Sequence, residues 1–150
     1  MSTTLFGVHH LIWHWSNQII KGGIMIALHA AFAIGAAILG AYILLTRKGT
    51  ARHKAIGRVF GGLMLVVAAS SIFIQEINPG HYSPIHLLIP LTIGSVIFGS
   101  WSIGQYRRTR RPDYRRAHAI TMTMLYFGAL VVAGLFTLAP GRLFHTLIFG

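Results

Sequence analysis

The stretch IMIALHAAFAIGAAILGAYILL, residues 24–45, contains no charged side chain, and TRKGTARHK, residues 46–54, follows it directly. At 1.5 Å per residue, residues 24–45 rise about 33 Å as a helix, enough to cross the roughly 30 Å of hydrocarbon in a bilayer. An apolar run that ends abruptly in Arg47, Lys48, Arg52 and Lys54 reads as a transmembrane helix emerging into a basic loop. Working outward, the same kind of segment recurs near Ala55 to Gln75, Ile85 to Ile103 and Ala117 to Leu138. The fold class expected is all-α: an integral membrane four-helix bundle forming one domain.

The connectors carry stop and start signals. Gly49-Thr50 ends the first basic loop, and the Thr50 hydroxyl is placed to cap the second helix. Asn78-Pro79-Gly80 reads as a turn, Ser83-Pro84 as a cap followed by proline at the first helical position, and Pro112-Asp113 as the start of the fourth helix. Pro140-Gly141 closes that helix. Before the first span, Leu5, Val8, Ile12, Trp15 and Ile19 share one helical face, opposite His10, His14, Asn17 and Lys21. That pattern predicts an amphipathic interfacial helix over residues 5–21, broken from the span by Gly22-Gly23. The first residues lack a basic n-region, so a cleavable signal is not expected.

Of 150 residues, 54% are hydrophobic and 10% charged, against about 25% charged in a soluble domain. The net charge of +11 raises the question of nucleic acid. Placement answers it: eleven of thirteen Lys and Arg residues lie in two runs, 47–58 and 107–116, each between apolar segments. Positive-inside bias puts both loops, 46–54 and 104–116, in the cytoplasm and both termini outside. Expected partners are membrane lipids, with anionic head groups at the basic loops, and no nucleic acid. Cysteine is absent, which excludes disulfides and thiolate ligands. Glu76 and Asp113 are the only acids and fall on opposite sides of the membrane, so paired-carboxylate hydrolysis is excluded.

Nine histidines stand out in so apolar a chain, because polar side chains in a bilayer are costly. His29 and His86 lie toward the outer ends of the first and third spans, and His53 and His118 toward the inner ends of the second and fourth. Two imidazoles at matching depth on facing helices suit the axial positions of a b-type haem. In this the arrangement resembles the di-haem transmembrane b-type cytochromes, which implies one or two haems, with His29 pairing with His86 and His53 with His118. A second constellation, His81, His86, His29 and His145 with Glu76, would suit a zinc or copper ion on the outer surface if the residues converge. Without any cofactor, an interhelical hydrogen bond accounts for His29 and His86, and contact with lipid phosphate or a loop carbonyl accounts for His53 and His118.

Other phrases carry a sequence resemblance: Gly49-Thr50 followed by His53-x-x-x-Gly57-Arg58, Ser83-Pro84-Ile85-His86-Leu87-Leu88, His118-x-x-x-Met122, and Phe136-Thr137-x-x-Pro140-Gly141-Arg142. They are similar to an uncharacterised family of small four-span bacterial membrane proteins, which implies a multi-pass location in the bacterial inner membrane and no particular activity. The two halves also look alike, with Gly35 and Gly40 matching Gly94 and Gly99, and His53 matching His118. Gly57, Gly61, Gly94 and Gly99 are expected to face neighbouring helices, since small residues let membrane helices approach. Three functions stay open: electron transfer through haem, a non-catalytic accessory or assembly subunit of a larger membrane complex, and a small transporter.

Overall fold

Four helices long and apolar enough to cross a membrane, Gly23–Leu45, Ala51–Ile72, Leu88–Thr109 and Pro112–Leu135, dominate the computed structural model. It describes the backbone of residues 3–72 and 87–137 and the side chains of 23–72 and 87–135. The first span is the C-terminal part of α1, Thr3–Leu45. Next come α2, Ala51–Ile72, and α3, Leu88–Thr109. The fourth rod begins as α4, Pro112–Met124, passes through a π-helical segment, Leu125–Val131, and ends as α5, Val132–Thr137. No strand occurs among the described residues.

Local chemistry explains most of the boundaries. The Thr50 hydroxyl accepts a hydrogen bond from the His53 backbone N–H at 3.1 Å, which caps α2 as the sequence predicts. Just before it, Gly49 takes a φ of 81°, the left-handed conformation that glycine adopts without a Cβ penalty. The Lys48 ammonium donates to the carbonyls of Ile43 and Leu44 at 2.6 and 2.7 Å, closing the open C-terminus of α1. Pro112 opens α4 as expected.

Two expectations are corrected. Gly22-Gly23 does not break the chain: α1 is one helix through both residues. Each glycine disfavours helix by about 1 kcal/mol, whereas a break would open eight backbone groups with no cap residue beside them. The second basic segment is also no loop from 104 to 116. Helix α3 runs to Thr109, α4 starts at Pro112, and only Arg110 and Arg111 connect them, Arg110 with a left-handed φ of 58°. In that conformation the Arg110 backbone N–H donates to the Tyr106 carbonyl at 2.9 Å and closes the helix end, while Arg107 and Arg108 complement the negative end of α3.

Such short connections force α1 against α2 and α3 against α4 as antiparallel hairpins. Contacts of α2 with α3, and of α1 with the π-helical segment, close the four rods into a ring. Helices one and three are therefore diagonal to each other, as are two and four, and both basic turns fall at the same end. The core draws on every rod: Ala36, Phe60, Met64, Val96, Leu125, Ala129 and Leu130 are buried together. The i→i+5 spacing of the π-helical segment brings Leu130 back over Leu125, so both enter the core.

The expectation for the glycines splits. Gly99 lies where an added Cβ would collide with the Met122 side chain, and Gly61 packs 3.7 Å from Val96. A Cβ added at Gly57 or Gly94 would meet nothing within 4 Å, so neither marks a close helix approach. The tightest approach of rods one and four is instead at Gly40, where a Cβ would strike the Tyr126 ring.

Candidate functional site

Three of the four span histidines lie among the described side chains. On α1, His29 Nδ1 is 2.8 Å from the Ser70 hydroxyl of α2. The Ser70 hydroxyl also lies 3.1 Å from the Val67 carbonyl, one turn back on α2. On α4, His118 Nδ1 is 2.8 Å from the Gly99 carbonyl of α3. A carbonyl only accepts, so that nitrogen is the protonated one. The His118 ring is thereby fixed with Nδ1 protonated, leaving Nε2 to carry the lone pair of the neutral imidazole.

His53 differs. Its ring is partly buried near the start of α2, and its Nδ1 has no hydrogen-bond partner. His118 and Lys48 both lie close enough for their charge to act on His53. One turn beyond Gly99 on the same face of α3, Ser102 is 0% exposed, and its hydroxyl likewise has no partner. A buried polar atom left unpaired is destabilising by about 1–3 kcal/mol. Two such atoms and an anchored imidazole, all toward the arginine-bearing end of the bundle, make this the chemically distinctive place among the described residues.

No protein-family model, curated protein or solved structure matches this chain. The similarity to small four-span bacterial proteins thus rests on the quoted phrases alone.

The described residues contain no group of three or more His, Asp or Glu side chains able to hold a metal ion. The outer constellation expected from His81, His86, His145 and Glu76 lies outside the described residues, apart from His29, which turns toward Ser70. His86, the expected partner of His29, falls there too. Two participants went unnoticed in the sequence. Ser70 is one of several scattered polar residues, but positions 29 and 70 lie at similar distances either side of the 46–50 turn, which an antiparallel hairpin brings together. Ser102 gives no such signal, because a serine in a span is ordinarily satisfied by a carbonyl one turn back.

Whether this end suits a haem is a matter of donors and of room. The donors fit: diagonal helices two and four each contribute an imidazole, one of them with Nδ1 already bonded to a carbonyl, the arrangement that orients metal-binding histidine. Gly40 on α1 and Gly99 on α3 leave flat notches in the adjoining faces, filled by the Tyr126 ring and the Met122 side chain. Seating a macrocycle beside Gly99 would require the flexible Met122 side chain to swing aside.

Proposed function

We propose that this chain is a small electron-carrying membrane protein whose bundle holds b-type haem through paired histidines. The observation that supports this reading most directly is the state of the rings at the arginine-bearing end. His118 is locked with Nε2 available, and His53, on the diagonal helix, has a buried nitrogen bonded to nothing. Haem supplies a one-electron couple, with its potential set by axial ligands and burial. The chain would supply the imidazoles, an apolar wall from Phe60 and Leu125, and arginines placed to meet the propionates. At the opposite end His29, held by Ser70, is the anchor of a second site shared with His86.

The test is a visible spectrum of the detergent-purified protein before and after dithionite. A sharp reduced band of the b type is expected, either as purified or after incubation with hemin. A protein that stays colourless after that incubation overturns the reading. The accessory-subunit reading draws on one observation of its own, that Gly57 and Gly62 leave α2 with small-residue positions open to another helix.

The membrane proposed is the bacterial inner membrane, with both basic turns cytoplasmic and both termini outside. Eleven of the thirteen Lys and Arg residues lie in the two basic runs, with only Lys21 and Arg142 outside them. Reporter fusions after residue 49 and after residue 110 should score as cytoplasmic, and one after Gly80 as external. An external signal from either of the first two defeats the orientation.

A further inference from the structure

Along the lipid-facing side of the α3–α4 hairpin runs an open groove of about 400 Å³, lined by Pro90, Leu91, Gly94, Phe98, Ile120 and Met124 among others. Its apolar walls are well exposed, Ile120 at 51% and Met124 at 65%. Gly94 makes its floor, with open space where a side chain would begin. At one end the lining changes character in steps. Phe98 packs on Trp101 at 5.8 Å between ring centroids, and Trp101 meets Tyr114 edge-on at 5.7 Å. The Arg111 guanidinium lies over the Tyr114 ring at 5.9 Å. Leu91, Gly94, Phe98, Trp101 and Arg108 follow one another at helical spacing, so Arg108 continues the same stripe.

We propose that this groove binds one anionic phospholipid, its acyl chain against Gly94 and Phe98 and its phosphate at Arg108 and Arg111. The length fits a single leaflet. From Pro90 to Trp101 the helix rises about 17 Å, close to half the roughly 30 Å hydrocarbon thickness. The aromatic step then falls at head-group level, where tryptophan and tyrosine are favoured. The charge fits too: the turn and its flanks carry six arginines, and the one ion pair among them is the exposed contact of Arg111 with Asp113 at 3.5 Å. Arg107, Arg108 and Arg115 are exposed with no side-chain partner among the described residues. Apolar groove, aromatic collar and cations in that order, with Arg108 unpaired and Arg111 held by an exposed contact with Asp113, match the profile of a lipid from tail to phosphate, and a bare partner helix would leave the cations unused. The proposal is independent of haem.

Native mass spectrometry of the detergent-purified protein, titrated with phosphatidylglycerol or phosphatidylcholine, tests it. One phosphatidylglycerol should be retained in preference to phosphatidylcholine by a factor on the order of tenfold. Inorganic phosphate should not displace it. The double variant Arg108→Gln, Arg111→Gln should bring the two lipids to parity, and Gly94→Phe, whose Cβ meets nothing within 4 Å and whose ring would occupy the groove, should weaken both. Equal retention of the two lipids by the parent protein overturns the proposal, as does retention untouched by Gly94→Phe. A dimer that Gly94→Phe dissolves, without head-group preference, would assign the groove to a second copy of the chain instead.

Discussion

Gly40→Leu should keep the protein from accumulating in folded form, while Gly94→Leu melts in detergent like the parent. A Cβ on Gly40 would strike the Tyr126 ring and come within 3.0 Å of Phe60 Cε2. Neither ring yields easily. Phe60 is buried in the core, and Tyr126 sits in the π-helical segment with Phe127 edge-on at 5.1 Å. Overpacking a filled site is destabilising by about 1–3 kcal/mol even for small additions. That matters more in a membrane, where lipid is as apolar as the core and close packing has to hold helices together. Gly40→Ala already places the offending methyl group, so it should lose stability by about that amount. Gly99→Ala belongs between the extremes, since what it meets is the far end of the flexible Met122 side chain. The ordering Gly40 worst, Gly99 intermediate and Gly94 neutral is the measurable claim. A Gly40→Leu protein with parental yield and melting temperature would contradict it.

Replacing His118 should remove the haem signal without removing the fold. The ring makes one hydrogen bond, to the Gly99 carbonyl, and that carbonyl sits within α3, where it has a helical partner besides. Losing the bond therefore weakens the bundle by only about 1 kcal/mol. Axial ligation is all or none by comparison, because a haem held by one imidazole loses its six-coordinate spectrum. His118→Gln separates the two roles: its amide N–H is able to donate to Gly99, but it is a poor iron ligand. The expected result is a folded Gln variant lacking the reduced b-type band of the inner site, with His53→Ala behaving the same way. A His118→Gln protein that keeps the parental spectrum would show that the inner pair does not ligate haem. If parent and variant are both colourless, the electron-transfer reading itself fails.

What could be read along the chain was whatever depends on neighbours in sequence. Span length follows from the hydrocarbon thickness, and the cap by Thr50 follows from a hydroxyl three residues ahead of an open N–H. The start at Pro112 follows from a fixed φ. The grouping of both basic runs at one end follows from their being separated by two spans. The break expected at Gly22-Gly23 failed because local propensity is weak against the backbone groups an interruption leaves open. The partners of His29 and His118, the stranded nitrogen of His53, the buried Ser102 and the division of the glycines into Gly40 and Gly99 against Gly57 and Gly94 were settled by how the rods pack. In a soluble helix, polar residues mark the outward face and the inward one can be inferred. In these spans the lipid-facing and core-facing sides are equally apolar, so periodicity does not say which is which, and only the docking of one rod against the next does.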